Sequence, residues 1–540
     1  MVLDGQQRLT SLYQALFRRD GVHYNKKQHH FYLEIPVLLD PSEDQTPADA
    51  SFADALFFVV ETNGKRVRYA GIQPRYDLSN LQSELANGCL PLSLIFDTDA
   101  LAKWKQEYLL TRSENDMSRY LALDSRWDRL IKPWLDCIRS YPFPVVELRQ
   151  DLPLGAICHI FEKVNSTGVP LDVFDLCTAI LWAQNFRLNV EWEQTRKKMD
   201  QAHWLAMQPK PLSGAAFLQG IALLDSITRK RQHAGSGQRI AVSCRKDDLM
   251  RLDVATVQRW WQPLVDGYGE ASKFLANEGV LSERILPYTT LIIPLSAMFA
   301  DLRLRKGIAH IGSAWPKISR WFWCSVFTQR YSSQVESAAA LDFEQVMSWV
   351  EGDGEAPDVV RTFNFRPDAL QEITSIRNAV YKGILCLLIR GGAKDFGGAG
   401  ALSTALFYDT HQDHHHIFPT DALQTTLGIH DPRSNTIVNK TLIGSSVNRS
   451  IGAKLPSEYV AYYSQGDKLG EPAFEGILRS HCIDPSYLRR DDWDGFVLNR
   501  REQLRQLITA ACGDNVQPFA SDGSQSTVID ENLDDEDGIA

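Results

Sequence analysis

Near its C-terminal end the chain reads His414-His415-His416-Ile417-Phe418-Pro419. Asn439-Lys440-Thr441-Leu442-Ile443 and Ser445-Ser446-Val447-Asn448-Arg449 follow. Phosphodiester hydrolysis needs an activated water and relief of the charge that builds on the leaving oxygen. A neutral imidazole supplies the first as a general base, and a divalent ion supplies the second as a Lewis acid. The residue types and their order assign His416 as the base and His415 with Asn448 as metal ligands, with waters and the scissile phosphate completing the shell. Asn439 joins His416 in the catalytic group as its structural member, its side-chain amide tying the loop that orients the base. Ser445 reads as a helix N-cap, which puts Asn448 in the first turn and aims it back at the preceding strand. Asp413 is an alternative oxygen ligand that sits out of phase, while His411 and His414 are expected to flank the site. Three adjacent histidines alone are a weak signal; the two asparagines in order and the serine sharpen it.

These residues need a scaffold. Residues 1–190 mix strands and helices: a helix over 6–18 with Leu9, Leu12, Leu16 and Phe17 at helical spacing, and strands at 31–37 and 144–148. A helix is expected over 153–164, a break at Asn165-Ser166-Thr167-Gly168, and a second helix from Asp172 to about Gln184. Residues 191–390 read as a mainly helical middle domain. In it Trp321-Phe322-Trp323 is core, the stretch from Ile285 to Ala300 is a buried helix pair, and Arg229 to Gln238 is an exposed loop. The glycines at 391, 392, 397, 398 and 400 read as a flexible joint. Beyond it, residues 401–512 form the third domain and 513–540 an acidic, disordered tail.

The net charge of −10 looks wrong for a DNA binder, but residues 513–540 hold eight acidic residues and no Lys or Arg, which accounts for most of it. Nine cysteines without a C-x-x-C pair argue against a zinc ribbon and a secreted disulfide framework, and fit a reducing cytoplasm. No segment reads as a signal peptide or a membrane span. Arg489, Arg490, Arg500, Arg501 and Arg505 could contact phosphates. A solvated helix face paired to Asp491, Asp492 and Glu502 is the favoured reading.

A second constellation, Asp4-Gly5-Gln6-Gln7-Arg8-Leu9-Thr10, opens the first helix. A glycine at a strand-to-helix turn lets backbone N–H groups face an anion, where the helix N-terminus adds positive potential. Arg8 can grip a phosphate bidentately, Gln6 and Gln7 can orient a water or a ribose, and Asp4 can hold Mg²⁺. A simple capped turn is the competing interpretation.

The C-terminal segment resembles the ββα-metal (His-Me finger, HNH) nucleases. In them an Asp-His or His-His pair precedes Ile-x-Pro, a structural Asn opens the second strand, and an Asn or His on the helix binds the ion. His415-His416-Ile417-Phe418-Pro419, Asn439 and Asn448 take those places in order. The family's commoner acidic ligand is replaced by His415, which could shift preference from Mg²⁺ towards Mn²⁺. The Asp-Gly-Gln-Gln-Arg element resembles the ParB/sulfiredoxin-like N-terminal domain of GmrSD-type, modification-dependent restriction nucleases, as do Phe161, Asn165, Gly168 and Leu171. Arg320-Trp321-Phe322-Trp323 and Arg330-Tyr331-Ser332 are similar to that family's helical middle.

The resemblance implies an α+β multidomain protein with a ParB/sulfiredoxin-like first domain, a helical middle and a His-Me finger. The first domain is expected to be N-terminally truncated, because relatives carry several dozen residues before this motif. It implies a nucleoside triphosphate held by Asp4, Gly5, Gln6, Gln7 and Arg8, with Asn165 and Gly168 as further members. It further implies a divalent Mg²⁺ or Mn²⁺ cofactor, foreign or modified DNA as the partner, and a possible homo-oligomer. A nucleotide-responsive binding protein with a vestigial nuclease part is the alternative, and metal-independent binding without cleavage would mark it. A toxin-like nuclease acting on RNA is a third possibility, separable by comparing RNA with duplex DNA.

Overall fold

The computed structural model describes residues 6–24, 27–39, 54–70, 73–143, 172–201, 212–352, 354–398, 400, 402 and 412–519. The chain forms two compact units, residues 1–164 and 165–540. The expected strand at 144–148, the helix at 153–164 and the break at 165–168 lie outside the described residues.

The first unit is built on a six-stranded sheet. β1 (Val22–Tyr24), β2 (Lys27–Glu34), β3 (Leu56–Thr62), β4 (Lys65–Ala70) and β5 (Gln73–Asp77) neighbour one another in chain order. β6 (Cys89–Pro91) pairs with the far end of β2. Strand alternation sends successive side chains to opposite faces. Leu33 packs with the helices Thr98–Ser113 and Met117–Leu130, burying Trp104, Tyr108 and Trp127. Tyr32 joins a smaller cluster with Val59, Leu78 and Cys89. Its hydroxyl donates to the buried Glu84 carboxylate at 3.1 Å and accepts from Arg66 at 2.7 Å. β2 stops at Glu34, earlier than the sequence suggests, because Ile35–Leu39 turns into a short helix. The first helix spans Gln6–Phe17, close to the expected bounds.

The second unit has one continuous core from Cys177 to Val516. Its centre is the helix Ile292–Lys306, whose residues from Ile292 to Leu302 are all buried. Two 3-10 turns, Glu283–Ile285 and Thr289–Leu291, precede it in place of the expected second helix. The helix Val254–Asn277 lies against it at Gly267, where a Cβ would stand 2.3 Å from the Ser296 carbonyl oxygen, so only glycine permits this approach. Trp321, Phe322 and Trp323 are fully buried, as expected. The Arg330-Tyr331 element acquires a physical reason: Trp321 Nε1, Arg330 and the Tyr331 hydroxyl all converge on the carboxylate of Asp342, itself fully buried. Asp172 caps the helix Val173–Trp182. The expected loop from Arg229 begins only after Gln232, because the helix Gly214–Gln232 runs through the basic residues.

The sequence divides this unit at 190 and again between 390 and 401, whereas its packing is undivided. The glycine-rich stretch folds as a tight loop rather than a joint. Phe396 is fully buried, and Gly398, at φ 82°, lies where a Cβ would strike Leu469 at 2.2 Å. Composition registers the glycines but not the side chains that enclose them. Val516, in the expected tail, is buried and bridges Phe365; residues 520–540 lie outside the described part. Among the described residues no helix is long and apolar enough to cross a membrane.

Candidate functional site

β7 (Gln412–His416) and β8 (Lys440–Gly444) form an antiparallel pair in which His415 faces Thr441 and His416 faces Lys440. The helix Ser445–Ile451 follows β8 without a break. The two-residue period of β7 puts Asp413 and His415 on one face and His414 and His416 on the other. Asp413 is therefore in phase with His415, a correction to its expected placement.

On the first face, His415 is 2% exposed, and its Nδ1 lies 2.8 Å from Asn448 Oδ1. Asn448 Nδ2 donates to Asp413 Oδ2 at 3.0 Å, and Ser445 Oγ donates to Asp413 Oδ1 at 3.0 Å. Ser445 is thus not the N-cap: Gly444 holds that position, and the serine side chain reaches back to β7. Burial lowers the His415 pKa to about 4, so the ring is neutral near pH 7. His415 Nε2 is buried without a hydrogen-bond partner among the described residues, beside the rings of Phe396 and Tyr459.

On the second face, His414 Nδ1 meets the Tyr381 hydroxyl at 3.0 Å, and burial takes this imidazole to about 4 as well. His416 Nε2 lies 3.2 Å from Asn435 Oδ1. Burial also lowers the His416 pKa. A carbonyl oxygen only accepts, so Nε2 carries the ring proton and Nδ1 keeps its lone pair, the form a general base requires.

Asn439 is fully buried. Its Nδ2 donates to Phe418 O and Ser434 O, both at 2.8 Å, and its Oδ1 accepts from Phe418 N at 2.9 Å. One amide thereby fixes the turn that leaves β7 just after His416, which gives the Ile-Phe-Pro segment its place.

Supports that no short motif announces hold the hairpin from behind. His481 Nε2 donates to Lys394 O at 2.6 Å, so its Nδ1 accepts from the Thr441 hydroxyl at 2.6 Å. Asp395 Oδ1 accepts from Gly444 N at 2.7 Å, and the Tyr459 hydroxyl donates to Ile417 O at 2.8 Å. Arg500 is fully buried and donates to His481 O and Lys440 O, while Arg501 pairs with Asp368. Neither belongs to the solvated face expected of them. Arg489, Arg490 and Arg505 do pair with acids: Glu471 and Glu475, Asp492, and Glu502. All these supports come from distant positions, so spacing along the chain carries no sign of them.

A cavity of about 340 Å³ opens at the hairpin end, lined by His414, His415, His416, Asn448 and Asp421 among others. The donors His415 Nδ1 and Asn448 Oδ1, 2.8 Å apart, are close to the ~3 Å between neighbouring ligands of an octahedral ion with bonds of about 2.1 Å. Among the described residues no group of three His, Cys, Asp or Glu side chains could hold a metal. His415 and Asn448 are two donors, so an octahedral ion held by them would take the rest of its shell from water or phosphate oxygen.

The N-terminal constellation is only partly described. Asp4, Gly5, Asn165 and Gly168 lie outside the described residues, and Gln6, Gln7 and Arg8 are described only as the backbone opening the first helix.

Two comparisons bear on this architecture. Residues 1–182 match the family model of the GmrSD restriction endonuclease N-terminal domain. Beyond it, the chain is 23% identical over 484 residues to the uncharacterized protein MJ0686 of Methanocaldococcus jannaschii, a match covering 85% of this chain and 72% of that protein.

Proposed function

We propose that the protein is a metal-dependent DNA endonuclease of the HNH type. In this reading a nucleoside triphosphate bound in the first unit gates cleavage, and foreign or modified DNA is the target. The observation that carries the reading is the meeting of His415 and Asn448 at 2.8 Å across a hairpin and the helix that follows it, with His416 lining the same cavity. The GmrSD match over residues 1–182 supports the defence role, and the nucleotide site at Asp4, Gly5, Gln6, Gln7 and Arg8 rests on the resemblance of that motif.

In this mechanism a water is oriented in the cavity, and His416 takes its proton at Nδ1 as the oxygen attacks phosphorus. The phosphorus–oxygen bond to the leaving sugar breaks as the new bond forms. Neutrality of the ring at pH 7, enforced by burial, is what lets it accept the proton. Asn435 holds the opposite ring nitrogen and fixes the ring's orientation. His415 and Asn448 would hold the divalent ion, which supplies Lewis-acid stabilisation of the charge developing on the phosphate. Asn439 keeps the base on its turn.

The test is cleavage of modified and unmodified phage DNA with Mg²⁺ or Mn²⁺, with and without nucleoside triphosphate. Cleavage that needs the ion and is lost in His416→Ala is expected. Full activity in that variant would falsify the assignment.

A further inference from the structure

The carboxylate of Asp413 sits at the centre of the first face, yet the mechanism above gives it no task. It accepts from two groups: the Asn448 amide at 3.0 Å through Oδ2, and the Ser445 hydroxyl at 3.0 Å through Oδ1. A carboxylate offers only acceptors, so the Asn448 side chain can meet it only with its NH₂ end. The carbonyl end of Asn448 must then point the other way, and it does, towards His415 Nδ1 at 2.8 Å. No other side-chain contact of Asn448 among the described residues chooses between the two orientations of its amide. The opposite one would present an NH₂ group, which cannot bind a cation, on the cavity side.

We propose that Asp413 is a positioning residue of the candidate metal site: by taking the NH₂ end of Asn448 it turns the amide oxygen towards the divalent ion. The state of His415 follows from the same orientation. Its Nε2 is buried with no partner among the described residues, while Nδ1 faces an amide oxygen, so in the metal-free protein the ring proton belongs on Nδ1. That arrangement exists only if Asn448 presents its oxygen, as Asp413 dictates. A chain with histidine at 415, and no acid there to attract the cation directly, depends more on the single amide oxygen being presented correctly. The inference rests on the metal-site reading above and concerns a residue that reading leaves idle.

The test is Mn²⁺ binding to the full chain, measured by calorimetry, with thermal melting of the metal-free protein alongside. Asp413→Asn can pair with either end of Asn448 and is expected to weaken Mn²⁺ binding about 10- to 100-fold, the usual cost of losing a partner that orients a ligand. Asn448→Asp removes the need for orientation, because a carboxylate shows oxygen whichever way it turns. Asp413→Asn made in the Asn448→Asp background should therefore cost less than about threefold, a non-additivity expected of coupled neighbours. Unchanged binding in Asp413→Asn overturns the proposal. So does a loss of equal size in both backgrounds, which would make Asp413 a ligand or a hairpin anchor in its own right. Should Asp413→Asn alone fail to fold, the doubly exchanged variant, which keeps the hydrogen bond between positions 413 and 448, is compared with the wild type. Binding within a few-fold supports the proposal, and lost binding overturns it. A wild-type protein that takes up no Mn²⁺ would sink the metal-site reading itself, an outcome distinct from any failure confined to Asp413.

Discussion

The hairpin carrying the histidines and the first helix, Gln6–Phe17, solve opposite problems. In the hairpin region polar side chains are buried beside the apolar ones: Asn439 and Thr441 are fully enclosed, and each finds a partner at hydrogen-bond distance. In the first helix Leu16 packs against the core, while Leu12 and Tyr13 stay open to solvent at 43% and 61% exposed. Periodicity sufficed to specify a helix in one region, while burial of polar groups defines the site in the other. A buried amide or imidazole without a partner costs about 1–3 kcal/mol, so the hairpin holds its chemistry in one geometry. The helix face carries no comparable constraint.

Substitutions test this contrast, beginning with the base. His416→Ala should lower the rate of DNA cleavage by about 10²- to 10⁴-fold with little change in melting temperature, since its ring is only partly buried and makes a single hydrogen bond, to Asn435, among the described residues. A plasmid-nicking time course beside a melting curve reads both. Next comes Asn439→Ala, which strands the Phe418 N–H and two carbonyls in the interior. A loss of about 3 kcal/mol or more in urea unfolding is expected, together with loss of cleavage as the turn after His416 loosens. A near-neutral result would mean that water enters behind the hairpin.

Acid provides a third measure. His481 is held neutral, its pKa lowered to about 4 by burial, against an ordinary value of 6.5 in the unfolded chain. The unfolded state thus binds the proton first. The contribution to stability is complete above pH 6.5 and falls as the pH drops towards 4, by about 3 kcal/mol. His414 and His415 act in the same direction. Unfolding followed from pH 7 to 4 should show the decline, and His481→Asn should flatten part of it. The smallest effect belongs to the first helix. Leu12→Gln, on its exposed face, should alter stability by no more than about 0.5 kcal/mol. A several-fold larger loss would show that this face is covered in solution and would erase the contrast with the hairpin.

Much of the candidate site is legible in the sequence. The order His415, His416, Asn439, Asn448 prescribes a strand, a returning strand and a helix, and these four residues do gather at one end of that unit. Asn439 ties the turn as its position suggested. Ser445 was misread because a serine at a helix start usually caps it, whereas here Asp413 draws the hydroxyl to the neighbouring strand. Arg500 was misread because charged residues on a terminal helix are usually solvated, whereas this one is enclosed against two carbonyl oxygens. In both cases the deciding partner lies far along the chain.

Sequence alone determined the chemical alphabet and its local grammar: which side chains can hold a proton or a cation, their order along the chain, and the helix that returns Asn448. Tertiary structure decided what surrounds them. The supports from Lys394, Asp395, Tyr459, His481 and Arg500 close contacts across tens of residues. Their energies depend on burial, and burial is a property of the packed whole that no local spacing encodes.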